Sequence, residues 1–236
     1  MIVLGLDASG EGAGAAIADS GGVRGCAWAG RGARPAAALL DLADRALVAA
    51  GLQRSALEGI AVAVGPGSYA GIRTAVATGK ALAWAAGLPL VAIGSLEALA
   101  CAAGPWPGVT WAALDARRGR VYAAPFRWGL EAPQPLAPPE LLEREAFRRS
   151  VGTPPGGSLL AGGGVSAEDV AALPGSTLAP PILGPAVPGA VAWLGLHALL
   201  AGARADPFAL TPLYVSDPVI GPAPAGGAPQ DSPLHG

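Results

Sequence analysis

The longest continuous pattern of apolar and polar positions runs from residue 60 to residue 97. Ile60-Ala61-Val62-Ala63-Val64 is short, apolar and β-branched, which predicts a strand buried on both faces. Gly65, Pro66 and Gly67 break it, and Ser68 stands where its hydroxyl can cap a helix. Apolar positions then recur at helical spacing, with Ile72, Val76 and Gly79 on one side and Ala70, Ala77, Ala81 and Ala85 on another. Gly87 marks the helix end and Pro89 blocks its continuation. Residues 90–93 predict the next strand. A strand, helix and strand in this order predict a parallel pair with a right-handed crossover.

The same reading extends outward. Residues 2–7 predict a strand, followed by a glycine-rich turn at Gly10, Gly12 and Gly14. Residues 15–18 and 23–28 predict a hairpin joined at Ser20-Gly21-Gly22. Residues 35–50 predict a helix with a broad apolar face made by Leu39, Leu40, Leu42, Ala43, Leu47 and Val48. Gly104-Pro105-Trp106-Pro107-Gly108 reads as a connector. Beyond it, residues 109–114 and 120–126 predict a second hairpin, and 129–157 is proline-rich with one short helix at 139–149. Residues 159–160 predict a strand running into Gly162-Gly163-Gly164, and 187–201 a helix. No internal repeat is visible in the residues. The expected division is a first lobe at 1–103, a smaller second lobe at 104–217 and a disordered tail at 218–236. The last helix either completes the second lobe or returns to the first.

Composition narrows the function classes. The 236 residues are 52% hydrophobic and 14% charged, so a large core is available; aromatics are few, and Ala, Val and Leu must fill it. The net charge of -2 provides no basic field for nucleic acid. Two unpaired cysteines, Cys26 and Cys101, fit a reducing cytoplasm, and no basic leader precedes the first strand. No run reads as a membrane span: 75–86 contains Lys80, and 187–203 is short and carries His197.

Each candidate chemical motif has a plainer structural counterpart. Asp7 and Ser9 follow the first strand and could face a phosphate, or could cap their own turn through backbone amides, which is the favoured reading. Gly67 and Ser68 precede a helix N-terminus suited to an anion, yet no Lys or Arg lies inside the loop. Arg73 could reach back to that loop, make a structural ion pair or meet a partner. Asp115 and Arg117 sit in a hairpin turn, where a charge-assisted pair would fix the loop. Gly79-Lys80-Ala81 is not a phosphate-binding loop of the Walker type, and no G-x-G-x-x-G or G-x-S-x-G occurs at these turns. With only His197 and His235, no zinc-ligand cluster can be assembled from the sequence.

The block at 65–97 (GPGSYAGIRTAVATGKALAWAAGLPLVAIGSLE) resembles the TsaB (YeaZ) family, as do IVLGLDAS at 2–9, LDARRGRVY at 114–122 and, more faintly, TPLYV at 211–215. The resemblance covers about half of the chain. It implies an α/β fold of the actin/hexokinase/Hsp70 (ASKHA) superfamily, two lobes each with a mixed sheet flanked by helices. It implies a cytoplasmic, non-catalytic scaffold subunit in the biosynthesis of N6-threonylcarbamoyladenosine at A37 of tRNA. The implied partners are a TsaD-like transferase, which carries the metal and the transferase site, and a TsaE-like ATPase. The free chain is left open between homodimer and monomer, tRNA is met only through the complex, and no membrane is involved. No cofactor is firmly implied, although ATP or ADP at a complex interface is compatible with the family. The helices at 35–50 and 68–86 are the implied contact, with Leu39, Leu42, Ala43, Ala70, Arg73, Ala77 and Ala81 as interface candidates. The segment at 31–39, where TsaD-like relatives supply metal-binding histidines, has none. The alternative is a nucleotide-binding phosphotransferase or ATPase of the same fold, resting on Asp7, Ser9 and the glycine-rich turns.

Overall fold

Alternation within two sheets organises the chain. The computed structural model describes residues 1–30, 35–180 and 183–215; the tail at 218–236 lies outside the described residues. The first sheet has the order β3-β2-β1-β4-β5, from β1 (Val3–Asp7), β2 (Ala13–Asp19), β3 (Gly22–Ala29), β4 (Gly59–Ala63) and β5 (Leu90–Ile93). β1 pairs antiparallel with β2 and parallel with β4, and β4 pairs parallel with β5. Being central, β1 is buried along its whole length, which its unbroken apolar run anticipates. Leu4, Leu6, Ile60 and Val62 point to one face, where they meet α1 (Pro35–Ala50) and α2 (Tyr69–Ala86). Val3, Ala61, Val91 and Ile93 point to the other.

The second sheet repeats this plan. β6 (Val109–Asp115), β7 (Arg120–Trp128), β8 (Pro133–Pro135), β9 (Glu140–Glu143), β10 (Ser158–Ala161) and β11 (Ser176–Leu178) give the order β11-β10-β6-β7-β8, with β9 also on β7. Again the first strand, β6, pairs antiparallel with the next, β7, and parallel with a later strand, β10, which in turn pairs parallel with β11. The duplication is therefore topological, although the residues show no repeat. On its outer face Trp111, Val121 and Leu160 pack against Phe147 and Val151 of α4 (Arg144–Val151) and Leu173 just after α5 (Ala167–Ala172).

Two remaining helices fill the space between the sheets. α3 (Ser95–Ala103) follows the first sheet in sequence but lies against β6, β7, β8 and β10 of the second. α6 (Leu183–Leu200) follows the second sheet but covers β1, β2 and β4 of the first. The two helices pack on each other, and one cluster joins Leu96 and Leu99 of α3, Val191 and Leu196 of α6, and side chains of both sheets. α6 can lie this close because the contact residues are small. A Cβ on Gly5 would collide with Ala192, and one on Gly195 with Ala61. α6 is long and apolar enough to cross a membrane by length and composition, contrary to the reading of 187–203 as too short, and most of it is buried here between the sheets. After α6 the chain returns along the first sheet. Ala205 N–H donates to the Leu90 carbonyl (2.8 Å), Leu213 N–H to Val64 (2.8 Å), and Lys80 Nζ to Leu210 (3.0 Å), which covers the β5 edge.

Three expectations change. The helix at 139–149 divides: Glu140–Glu143 is a strand on β7, with Leu142 opposite Val121, and helix begins only at Arg144. α3 is an added element, because SLEALACAA is only nine residues long and mostly apolar, too short to show a helical period. α5 and β11 are likewise too short to show a period.

Asp169 holds the outer helices of the second lobe. It is fully buried and accepts Arg144 Nη1 (2.6 Å), Arg148 Nε (2.9 Å) and the Ser166 N–H (2.9 Å), the last within a capping box at the start of α5. Asp169→Ala leaves two guanidinium groups facing an apolar hole. It is expected to destabilise the protein by about 3 kcal/mol, read as a lower urea midpoint; a midpoint unchanged from wild type would show the triad to be energetically idle.

Candidate functional site

Two regions qualify: the turn after β1, which the sequence offers as a candidate phosphate site, and the outer surface of α1 and α2.

The first region is closed upon itself. Asp7 ends β1 and is buried. Its Oδ1 accepts the Ser9 hydroxyl (2.6 Å) and the Ser9 N–H (3.1 Å), the turn-capping arrangement expected of Asp and Ser here. Burial raises the Asp7 carboxyl above the ordinary range, and the Ser9 bonds offset this only in part. The Ser9 carbonyl in turn accepts the Ser68 N–H (2.8 Å). Gly67 and Gly71 bring the start of α2 so near that a Cβ on either would collide with the carbonyl of Ser9 or of Ala8. Ser68 Oγ accepts the Gly71 N–H at 3.4 Å and caps the helix. Asp7, Ser9, Gly67 and Ser68 therefore do come together, and their polar groups are engaged with one another.

Asp115 and Arg117 occupy the corresponding turn of the second sheet. Asp115 Oδ1 accepts the Arg117 backbone N–H (2.9 Å), so the expected Asp–Arg contact is made by the amide rather than the guanidinium. Arg117 and Arg118 both take left-handed backbone conformations, φ 66° and 55°, an uncommon arrangement for side chains with a Cβ. No hydrogen bond links this turn to Asp7 among the described residues. Nor do three His, Cys, Asp or Glu side chains cluster there in a way that could hold a metal. His197 lies on α6 with its ring 4.4 Å from that of Trp193.

The second region is open. Ile72, Ala75, Val76, Gly79 and Ala83 of α2 face the sheet. The opposite stripe, Ala70, Arg73, Ala77 and Ala81, is exposed. It ends in Trp84, 70% exposed, which sequence reasoning overlooked although a tryptophan three residues beyond Ala81 continues the stripe at helical spacing. Arg73 Nη1 donates to Tyr69 Oη (3.0 Å) and lies over that ring, and the Tyr214 ring sits 5.3 Å from it. On α1 the candidates need correction. Leu39, Leu42 and Ala43 are buried against the sheet, because the sheet takes the centre of the apolar arc. The outward side chains of α1 are Leu40 and Val48, 53% and 78% exposed, with Asp41 and Arg45 paired between them (2.9 Å). α1 and α2 lie side by side.

The closed turn makes a testable statement about Asp7. A carboxyl raised by burial binds its proton more tightly folded than unfolded. Its ionisation therefore costs stability as pH rises from the ordinary carboxyl value of 3.8 through the higher folded value. Asp7→Asn keeps an acceptor for Ser9 and does not ionise. Its stability relative to wild type should improve between about pH 4 and about pH 7 in urea titrations. A relative loss at the higher pH would mean that the carboxylate itself is required.

Comparison with known proteins agrees with this geometry. A family model described as TsaD, tRNA N6-adenosine threonylcarbamoyltransferase, matches residues 34–143, under half of the chain. The tRNA threonylcarbamoyladenosine biosynthesis protein TsaB of Bacillus subtilis is 43% identical over 72 residues, 30% of this chain and 31% of that protein. TsaB of Escherichia coli is 30% identical over 112 residues, 44% of this chain and 48% of that one. The matches thus span 31% and 48% of the length of these two curated relatives. The solved structure of YeaZ from Pseudomonas aeruginosa aligns over 90% of this chain and 99% of its own, with a TM-score of 0.74 and 25% identity. The fold is thus that of YeaZ, two mixed sheets flanked by helices, and the chain is similar to the TsaB (YeaZ) family over part of its length.

Proposed function

We propose that this chain is a non-catalytic scaffold subunit in the biosynthesis of N6-threonylcarbamoyladenosine on tRNA, and that it docks through α1 and α2 onto a TsaD-like transferase. One observation carries the proposal. α2 exposes a stripe of small side chains ending in Trp84, next to a helix that exposes Leu40 and Val48. Small residues let a partner helix approach closely, and an exposed tryptophan at the end of such a stripe is the kind of side chain that anchors an interface. Ala70, Arg73, Ala77 and Ala81 form the seam of this contact. Arg73 is partly held in place by Tyr69, which lowers the cost of ordering it on binding.

The remaining partners follow from the same reading. A TsaE-like ATPase joins the assembled pair, two copies of this chain compete for the same surface when the transferase is absent, and tRNA is reached through the complex because net charge here is -2. The working compartment is the cytoplasm. The phosphotransferase alternative loses support at the first-lobe turn, since the Asp7 carboxylate and the Ser9 carbonyl are engaged by neighbouring groups and α2 begins directly against them.

Ala81→Glu places a charge in the seam at a position open to solvent in the free chain, so the variant should fold normally. Trp84→Ala should weaken transferase binding by about 2 kcal/mol, roughly thirtyfold. In cells depleted of the natural chain, the Glu variant should fail to restore threonylcarbamoyladenosine in hydrolysed tRNA. Full restoration by that variant would place the contact elsewhere, and a misfolded variant would return Ala81 to the core.

A further inference from the structure

A cavity of about 490 Å³ opens between the lobes, away from the outer stripe of α2. Its walls come from the loop after β4 (Pro66), the first turn of α3 (Leu96, Glu97), β7 (Phe126), the proline-rich loop beginning at Pro135, and Leu213 of the returning chain. The volume is that of a small-molecule site. All of its lining residues are uncharged except Glu97, and no Lys or Arg is among them.

Glu97 is a half-buried carboxyl in the first turn of α3, where the positive end of the helix favours it. Among the described residues no ion pair joins it to a Lys or Arg. One helical turn on lies Cys101, whose thiol is pushed up to about 11 by burial and by Glu97, and which is therefore a neutral neighbour. Burial likewise raises the Glu97 carboxyl. A partly desolvated carboxyl of this kind gains from a cation placed against it. A phosphate would meet the carboxylate and find no guanidinium or ammonium to receive it. The remaining wall is rigid and apolar, made of proline, leucine and a phenyl ring, and suits a hydrocarbon or aromatic body.

We propose that this cavity binds a small organic cation, with one ammonium or amidinium group against Glu97 and an apolar body against Phe126 and the prolines. The site is independent of the α1–α2 docking surface, and its test needs no transferase.

The experiment follows backbone amide shifts of the full chain as benzylamine, benzyl alcohol or benzoate is added. The three probes share a ring and differ in charge. Benzylamine should shift the amides of Leu96, Glu97, Phe126 and Leu213, with an affinity about tenfold or more above that of benzyl alcohol, and benzoate should be weaker still. Glu97→Gln keeps the size and an amide oxygen at this position and removes the charge. It should bring benzylamine down to the level of the alcohol while α3 stays folded. Equal affinity for the three probes, a preference for benzoate, or shifts confined to other residues would overturn the proposal. The comparison of probes on the unaltered chain decides it even if the Gln variant fails to fold.

Discussion

The seam between α3 and α6 is the constraint on which the rest of the architecture depends. Each of these helices follows one sheet in sequence and covers the other in space, so neither lobe has a complete core of its own. α6 reaches the first sheet only because Gly5, Ala61, Ala192 and Gly195 leave room for its backbone. A methyl group added at Gly5 or Gly195 would push the helix away from β1 or β4 and open the core shared by both lobes. The nearly featureless apolar composition of α6 has the same origin. A helix packed against a sheet on one side and a second helix on another has little surface left for polar residues.

With the inner faces of both sheets committed to this seam, partners must be found outside it. The second lobe closes its outer face with α4 and α5 and fixes them through buried Asp169. The first lobe closes its outer face with α1 and α2, and the far sides of these helices carry Leu40, Val48 and Trp84 uncovered by any other described residue. The start of α2 is pressed onto the β1 turn, so its orientation is set by backbone contacts at Gly67 and Gly71. A surface held this rigidly loses little entropy on binding, which favours a docking role. The same pressure closes the turn at Asp7 and Ser9 against the start of α2.

Much of the first lobe was legible because its signals are local. A β-branched run, a Gly-Pro-Gly break, a serine cap and a terminal glycine place β4, α2 and β5 within a residue or two. The exposed stripe on α2 was legible for the same reason: Ala70, Ala77 and Ala81 recur at helical spacing opposite Ile72, Val76 and Gly79. On α1 nearly every position is apolar, so spacing alone could not tell Leu39 and Leu42, which the sheet takes, from Leu40 and Val48, which it leaves. Glu140–Glu143 shows the opposite failure, since a helix-favouring composition is overruled by pairing with β7. The exchange of α3 and α6 and the duplicated strand order have no signature in one sequence, because they are carried by long-range pairing between strands and helices of unlike composition.

The central claim is that the exposed face of α1 and α2 is an interface. It is tested most directly by light scattering coupled to size exclusion, with the chain alone and mixed with the TsaD-like transferase from the same cells. The account predicts a stable one-to-one complex that forms at the expense of any homodimer, because both species use one surface. A transferase and a chain that elute apart, or a ternary species in which the homodimer persists intact, would contradict it.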